Sequence, residues 1–256
     1  MRLALCQPVP TDGVIETAFA RLDQALSAAA AAGADMLLLP ELFLPGYNRP
    51  DLHDSLAQPA DGPWLDRVAG MARQAGCGVT LGWAERAEGR LFNSAVCFGP
   101  DGALLAHYRK LQLFGEMERT GFTAGTGYCL FALGDRIAAL LICFDVEYPE
   151  HARALAAAGA ELLLVPTANP TGYPHVADLI VPARAAENGL TVAYANYCGE
   201  ESGLEFDGGS VIAGPDGQAL ARAGAAPALL VVDLPASGAG GRLGLATRPG
   251  DTIAPA

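Results

Sequence analysis

Short apolar runs typical of β-strands alternate along this chain with longer amphipathic stretches typical of helices. The pattern opens with the strand-like RLALCQ at 2–7, an Ala-rich amphipathic segment over 14–32, and the apolar run MLLLP at 36–40. Further strands are predicted at about 78–84, 92–98, 103–108, 128–133, 136–142, 161–165 and 191–197, with a final meander at 208–233. Further helices are predicted at about 61–76, 149–159 and 176–188. This alternation predicts an α/β fold.

One internal repeat suggests how the chain is organised. The segments AAAAAGADMLLLPEL (28–42) and LAAAGAELLLVPTAN (155–169) share an Ala-rich helix end, a Gly-Ala pair, an acid, a four-residue apolar run and a proline. Glycine closes a helix well, and a continuous apolar run fits a strand that is covered on both faces. The repeat predicts a two-halved sandwich whose strand ends deliver Glu41 and Asn169 to one site. The alternative is that two αβ units resemble each other by composition alone.

Length and composition narrow the classes of function. The 256 residues are 51% hydrophobic, which favours one domain over 1–256, with a Gly-, Ala- and Pro-rich C-terminal arm at about 236–256. A net charge of −12 disfavours nucleic acid or an anionic membrane as a partner. We find neither an 18-residue apolar stretch nor a signal-peptide pattern, so we expect a soluble, cytoplasmic protein. The six scattered cysteines are interpreted as reduced thiols.

Cys143 ends an apolar run and is followed by acids, in LLICFDVEYPE. Buried cysteines usually serve as small apolar side chains, and a reactive thiol needs a base or a positive charge beside it. The four histidines show no triad spacing with it, and the chain lacks C-x-x-C, H-E-x-x-H and H-x-E patterns, so neither a Cys-His pair nor a zinc site is favoured. The stronger candidates are Glu41, which interrupts an apolar segment at a strand end, and Lys110, the only lysine. A lone lysine also fits a GC-rich genome; the functional interpretation is that its compact ammonium cannot be replaced by arginine.

Three segments carry a family resemblance in chain order. LLLPELF, YRKLQLFGEMERTGFTAG and LLICFDVEYPE resemble the signature segments of the nitrilase superfamily of carbon–nitrogen hydrolases, and the likeness runs from Arg2 to about Asp233. Within the superfamily, PELFLPGYN, LFGEMER and VPARAAENGLTVAYANYCGEE look most like the aliphatic amidases, especially 5-aminopentanamidases. The segment FTAG departs from the more common Phe-x-Pro-Gly. The resemblance implies a four-layer αββα sandwich and no cofactor or metal.

The resemblance also implies roles for individual residues. Glu41 would be the general base, Cys143 the nucleophile, and Lys110 with the backbone N–H of Phe144 would stabilise the oxyanion. An additional glutamate in the loop after the lysine would be Glu118, with Glu116 as the alternative. The residues expected to line the substrate pocket follow the strand ends: Tyr47, Asn48, Phe144, Ala168 and Asn169.

Other interpretations of these acids remain open at this point. Glu41 could be an acid at a helix N-terminus, Lys110 a solvated strand end, and Glu118 a surface carboxylate paired with Arg119. The remaining candidates are expected to be structural: Glu147, Glu150 at a helix start, Asp145 as a hydrogen-bonding loop residue, and an Arg184–Glu187 ion pair at i, i+3 spacing.

The expected reaction is hydrolysis of a small aliphatic primary amide, such as the ω-amino amide 5-aminopentanamide, to an acid and ammonia through a cysteine thioester. The alternatives are an N-carbamoyl amine or amino-acid hydrolase, a nitrilase, and a non-catalytic subunit that binds a small molecule. The family commonly dimerises through helices that flank the cysteine, here 149–159 and 176–188, so we expect a homodimer or a larger homo-oligomer.

Overall fold

A computed structural model describes residues 1–236, so the predicted arm over 236–256 lies almost wholly outside the described residues. The strands are β1 (Arg2–Gln7), β2 (Met36–Leu38), β3 (Gly78–Ala87), β4 (Arg90–Phe98), β5 (Leu104–Arg109), β6 (Leu130–Leu133), β7 (Arg136–Leu140), β8 (Leu162–Pro166), β9 (Thr191–Ala195), β10 (Cys198–Glu201), β11 (Leu204–Asp207), β12 (Val211–Ala213), β13 (Ala219–Arg222) and β14 (Ala228–Asp233). The helices are α1 (Ile15–Ala31), α2 (Pro50–Leu56), α3 (Pro63–Ala75), α4 (Gly115–Gly121), α5 (Pro149–Ala157) and α6 (Val181–Asn188).

Twelve of these strands form two mixed sheets. The first has the order β14-β1-β2-β3-β4-β5 and the second the order β13-β12-β9-β8-β7-β6, while β10 and β11 form a separate hairpin. In both sheets the central strands pair in parallel, with Leu37 opposite Ala4 and Leu163 opposite Ala139. Because both faces of these strands are covered, β2 and β8 are apolar throughout, as the sequence pattern indicated.

The two sheets pack face to face, and helices cover their outer faces. Apolar side chains from both sheets, such as Leu5 and Leu38 from the first and Leu140 and Leu164 from the second, share one buried cluster. The second cluster joins α1 and α3 to the outer face of the first sheet through residues such as Leu22. Helices α5 and α6 pack on the second sheet. The predicted four-layer αββα sandwich is confirmed.

Three parts of the fold differ from the sequence prediction. Helices α2 and α4 and the β10–β11 hairpin were not predicted, because each element is short and polar and shows no clear period. The predicted meander is divided between the sheets, since β14 leaves the second sheet and pairs antiparallel with β1. The predicted helix over 176–188 begins as a π-helical turn, Val176–Ile180, before it continues as α6.

Candidate active site

The two repeated units meet beside Glu41, but through Thr167 and Ala168 and not through the predicted Asn169, whose side chain donates to Tyr173. Glu41 and Thr167 occupy equivalent places in the two repeats, and the backbone N–H of Glu41 donates to the carbonyl of Thr167 at 3.3 Å. Each residue follows a proline at the end of a buried apolar run: Pro40 lies two residues after β2, and Pro166 is the last residue of β8. The packing of one sheet on the other therefore brings the two strand ends into direct contact.

The Glu41 carboxylate is completely buried and accepts three hydrogen bonds. Its Oε1 atom accepts from Asn93 Nδ2 at 2.6 Å and from Lys110 Nζ at 2.6 Å, and its Oε2 atom accepts from the backbone N–H of Ala168 at 2.9 Å. Burial raises the pKa of this carboxyl to about 7, with Lys110 opposing the rise and Glu118 adding to it. Glu41 can therefore accept a proton near neutral pH. These contacts exclude its interpretation as a helix-capping acid.

Lys110 follows β5 and is fully buried between two carboxylates, so it is not a solvated strand end. Its Nζ atom lies 2.6 Å from Glu41 Oε1 and 2.7 Å from Glu118 Oε1. Burial disfavours the ammonium, but the charges of Glu118 and Glu41 outweigh it and raise the pKa of Lys110, which stays protonated. Its carbonyl accepts from the N–H of Gly125, where a Cβ atom would overlap the backbone of Arg109. The glycine of FTAG is therefore required because the backbone of Arg109 lies too close to leave room for a side chain.

Glu118 lies on α4 and is completely buried, whereas Glu116 is exposed. Besides contacting Lys110, Glu118 Oε1 accepts from the hydroxyl of Tyr47 at 2.8 Å, and its Oε2 atom accepts from the N–H of Phe114 at 3.1 Å. The structure therefore brings Glu118 to the lysine, and its interpretation as a surface carboxylate paired with Arg119 is wrong. The segment was expected to be a loop; it is a helix that directs this side chain inward.

Cys143 begins a tight 3₁₀ turn, Cys143–Glu147, three residues after the last residue of β7. Its φ of 45° lies in the left-handed region that L-residues rarely adopt, and this strain is typical of functional positions. Burial raises the pKa of its thiol well above the usual value, Glu41 adds to the rise, and Lys110 opposes it. The Cys143 side chain therefore rests as a thiol and not as a preformed thiolate, so reaction at its sulfur would require a base beside it.

Of the five residues expected in the substrate pocket, Phe144 packs edge-on against the rings of Phe114 and Tyr148. The other four fall into two groups. Tyr47 and Ala168 contact the acidic centre directly, through Glu118 and Glu41 respectively. Asn48 instead holds the β10–β11 hairpin, since its side chain donates to the carbonyls of residues 201 and 202 at 3.1 Å. The Asn169 side chain donates to the carbonyl of Tyr173 at 3.0 Å. The side-chain amides of both asparagines are therefore used in loop contacts.

Sequence reasoning missed one residue that contacts the centre and underestimated another. Asn93 was not singled out, although it is a polar residue inside the apolar run LFNSAVCF of β4, which is the signal that could have found it. Asp145 was expected to be a loop hydrogen-bonding residue, and it is a buried carboxylate with four donors. The predicted Arg184–Glu187 ion pair is present at 3.1 Å, and Arg184 also donates to the carbonyls of Val146 and Glu147 in the cysteine turn.

Three of the four histidines make hydrogen bonds to groups other than Glu41, Lys110 and Cys143. His107 contacts Glu85 at 2.8 Å, His53 contacts the carbonyl of Gly46, and His151 contacts Gln112 and Tyr128. Among residues 1–236, the His, Cys, Asp and Glu side chains form no group of three or more that could hold a metal ion, and no helix of that part is long and apolar enough to cross a membrane. The six cysteines are free thiols.

The chain matches known proteins over most of its length. The model of the carbon-nitrogen hydrolase family matches residues 2–241. Among characterised proteins, the chain is 44% identical over 236 residues to a protein of Pseudomonas protegens described as a hydrolase in the pqqF 5' region, covering 90% of this chain and 81% of that one. It is 36% identical to an (R)-stereoselective amidase of a Pseudomonas species, with coverage of 91% and 85%.

Solved structures show the same fold at similar identity. The amidase of Nesterenkonia sp. AN1 is 40% identical, with a TM-score of 0.87 over 92% of this chain and 93% of that one. One structure of that amidase shows acrylamide added at its active-site cysteine in a variant with glutamate 41 replaced by glutamine, and another shows a cysteine variant in complex with butyramide. That neighbour is therefore an amidase with an active-site cysteine, and its cysteine variant binds the aliphatic amide butyramide.

Proposed function

Because this chain belongs to the carbon-nitrogen hydrolase family of the nitrilase superfamily, we propose that it is an amidase that hydrolyses small aliphatic primary amides to carboxylic acids and ammonia. The observation that carries the proposal is the buried Lys110, which bridges Glu41 and Glu118 within the electrostatic reach of Cys143. Such an arrangement holds a base, a fixed cation and a nucleophile together in a site shielded from water.

The first chemical step depends on the pKa values of the Cys143 thiol and the Glu41 carboxyl. A thiol with a raised pKa needs a base at the moment of attack, and a carboxylate with a pKa of about 7 serves as one near neutral pH. The Cys143 sulfur attacks the amide carbon while its proton passes to Glu41. Glu41 then gives the proton to the amide nitrogen, the C–N bond breaks, and ammonia leaves a thioester on Cys143.

The developing oxyanion needs donors that are in place before the reaction. We assign this role to the Lys110 ammonium, which its two carboxylate partners hold in one position, and to the backbone N–H of Phe144, which follows the strained cysteine. Each such donor is typically worth ~3–4 kcal/mol of transition-state stabilisation. Glu118 would hold Lys110 and accept from the substrate amide. Glu41 then takes a proton from a water molecule as its oxygen attacks the thioester carbon. The C–S bond breaks, the proton passes from Glu41 to the Cys143 sulfur, and the acid leaves.

The proposed substrate is an ω-amino amide such as 5-aminopentanamide. The net charge of −12 favours a cationic substrate over an anionic one, because the field of the whole protein attracts the opposite sign. Tyr47 and Ala168 are proposed to line the amide end of the pocket, since both contact the acidic centre. Asn48 and Asn169 would shape the surrounding loops. No cofactor is proposed.

We also propose that the protein assembles as a homodimer through the helices that flank the cysteine. Leu179, on the π-helical turn before α6, is 67% exposed, and Tyr148, at the start of α5, is 36% exposed. Burial of such side chains between two copies would be favourable. Light scattering of the full chain tests this proposal, and a monomer at all concentrations would contradict it. The free thiols support a cytoplasmic location, which cell fractionation would test.

The function is tested by a screen for ammonia release over short amides, ω-amino amides, N-carbamoyl amines, N-carbamoyl amino acids and nitriles. Release of ammonia and the matching carboxylic acid from amides is the expected result. Carbon dioxide released together with ammonia would instead identify a carbamoyl hydrolase, and turnover of nitriles alone would identify a nitrilase. No turnover at all, together with no alkylation of Cys143 by iodoacetamide in the native protein, would indicate a non-catalytic binding subunit.

Cys143→Ala is the decisive variant for the mechanism. It should fold as the parent does and release no ammonia from the amides that the parent hydrolyses. Cys97→Ala is the matched control, because Cys97 is a buried cysteine on β4 that makes no contact with Glu41 or Lys110 in the described network. Full turnover by Cys143→Ala would contradict the thioester mechanism, and loss of activity in both variants would point to a packing effect.

A further inference from the structure

Asp145, two residues after Cys143, is a completely buried carboxylate whose two oxygens accept four hydrogen bonds. Oδ1 accepts from the backbone N–H groups of Leu111 at 3.2 Å and Gln112 at 2.7 Å. Oδ2 accepts from the N–H of Ile142 at 2.9 Å and from the hydroxyl of Tyr108 at 2.8 Å. The carboxylate is thereby fully satisfied, which buried charge requires.

These donors come from the two segments that carry the proposed chemistry. Leu111 and Gln112 directly follow Lys110 in the chain, and Tyr108 precedes it by two residues. Ile142 directly precedes Cys143. The two segments belong to different sheets, since β5 lies at the edge of the first sheet and β7 is in the second. One carboxylate therefore ties the lysine end of one sheet to the cysteine end of the other.

The same side chain closes the turn that holds Cys143 at its strained φ of 45°. The N–H of Asp145 donates to the carbonyl of Ile142 at 3.0 Å, and the N–H of Ile142 donates back to Oδ2 of Asp145. This reciprocal pair encloses Cys143 and Phe144. Strained backbone persists only where surrounding contacts over-determine it, and these two hydrogen bonds supply such contacts.

We propose that Asp145 is a positioning residue, which fixes the Lys110 ammonium and the Cys143 turn relative to each other and so sets the distance from nucleophile to oxyanion donors. The inference rests on the proposed function, but it concerns how the site is built and not which substrate it takes. Asp145 itself touches none of the reacting groups in this scheme. Its contribution would appear in the transition state, where the lysine and the Phe144 N–H must act on the same oxygen.

The substitution Asp145→Asn tests the inference with little change of shape. The carboxamide keeps one acceptor oxygen, while its NH₂ group would face N–H donors and cannot accept from them. We expect kcat per reactive site to fall by about 10- to 100-fold, as for other residues that orient catalytic groups, with KM within about threefold of the parent. Reactive sites are counted as the fraction of Cys143 alkylated by labelled iodoacetamide, located by peptide mapping because the other five cysteines are also free thiols. Circular dichroism checks separately that each variant is folded.

Two further variants keep the outcome decisive. Tyr108→Phe removes one of the four donors, and we expect a smaller fall in kcat, of about threefold or more, in a protein that still folds. Asp101→Asn is the matched control, because Asp101 is an exposed aspartate that likewise accepts a backbone N–H, from Ala103 at 3.0 Å. It should retain the parent kcat. If Asp145→Asn does not fold, Tyr108→Phe decides the question.

The inference is overturned if Asp145→Asn, or Tyr108→Phe where the former is unfolded, retains the parent kcat per alkylated site. A rise in KM with unchanged kcat would also overturn it, because that pattern indicates lost ground-state binding. If the parent hydrolyses no compound in the screen, the proposed function fails, and the inference is judged on the alkylation rate of Cys143. That rate should fall at least threefold in the Asp145 variant, and an unchanged rate would overturn the inference.

Discussion

The Nζ atom of Lys110 lies 2.6 Å from Oε1 of Glu41, and neither side chain has any solvent exposure. The same cation also contacts Glu118, so one positive charge faces two buried carboxylates. Burial raises the pKa of Glu41 to about 7. The single ammonium of Lys110 opposes this rise, but it is shared with the Glu118 carboxylate, whose charge adds to the rise. The centre can therefore hold or release one proton near neutral pH.

Turnover should depend on the charge of Glu41. Because the base form is required and burial raises the pKa of Glu41 to about 7, kcat/KM should rise with pH up to about 7 and then level. Below that range it should fall about tenfold per pH unit, since the active fraction falls by that factor. The pH profile of ammonia release measures this dependence. Glu41→Gln should lose nearly all activity, and a flat parent profile from pH 5 to 8 would contradict the assignment.

The same pKa shift predicts a pH dependence of stability. A carboxyl whose folded-state pKa is raised from about 4.5 to about 7 binds more protons in the folded state, so folding is disfavoured as pH rises across that range. The side chain in Glu41→Gln cannot titrate. The melting temperature of this variant minus that of the parent should therefore be larger at pH 8 than at pH 4.5. Thermal melts at both pH values measure the difference. A difference of the opposite sign would show that Glu41 is stabilised as a carboxylate.

Lys110 should not be replaceable by arginine. The planar guanidinium is larger than an ammonium and cannot occupy a fully buried place within 2.7 Å of two carboxylates without displacing them. We expect Lys110→Arg to lose at least 100-fold in kcat, and Lys110→Ala to lower the free energy of unfolding by ~3–5 kcal/mol because buried carboxylates lose their partner. Denaturant unfolding and ammonia release measure the two effects.

The control for this prediction exchanges the same two residue types in the opposite direction at the surface. Arg90→Lys changes an ion pair with Glu88 in which both side chains are largely exposed, so stability should change by less than ~0.5 kcal/mol and activity should stay at the parent level. Retention of kcat in Lys110→Arg would mean that only the charge at this position matters, and not its size.

Two features of the sequence predict parts of the site: a repeated pattern and a rare residue type. Glu41 follows an apolar strand in one repeat and Lys110 is the only lysine, so both stand out from their surroundings. The helix that carries Glu118 could not be predicted, because seven residues form a helix mainly through tertiary contacts. For the same reason the choice between Glu116 and Glu118 needed the fold.

Asp145 illustrates the other limit of sequence reasoning. Its position after Cys143 indicates a polar loop residue, but the identity of its donors depends on how the two sheets pack. Leu111 and Ile142 are far apart in the chain and only the packing of the sheets brings their N–H groups to one carboxylate. Asn93 differs, since its polarity inside the apolar run LFNSAVCF is a usable signal, although only the fold shows that its side chain reaches Glu41.

The two glutamates of α4 form a matched pair for mutagenesis. Glu118 contacts Lys110 and Tyr47, whereas Glu116 lies two residues away on the exposed side. Glu118→Gln should reduce kcat by about 10- to 100-fold, because an amide holds the ammonium less firmly than a carboxylate does. Glu116→Gln should leave kcat unchanged within twofold. Equal effects of the two substitutions, measured as ammonia release per alkylated cysteine, would remove Glu118 from the scheme.

Glycine at position 82 is required by the position of Glu41. Gly82 lies on β3, its N–H donates to the carbonyl of Pro40 at 3.0 Å, and a Cβ atom there would lie 2.8 Å from the Glu41 Cα atom. No side-chain movement can relieve this contact, because the atoms next to the added Cβ are backbone atoms of Glu41 and Leu42. Gly82→Ala should therefore displace Glu41, cost ~1–3 kcal/mol of stability and lower kcat by about 100-fold.

The matched control is the same substitution on an exposed helix. Gly70 lies inside α3, and a Cβ atom built there has no neighbour within 4 Å. Gly70→Ala should raise the free energy of unfolding by ~0.5–1 kcal/mol, because alanine favours a helix interior over glycine, and kcat should not change. A Gly82→Ala variant with parent activity would show that Glu41 can move without loss of catalysis, which would contradict the tight geometry proposed for this base.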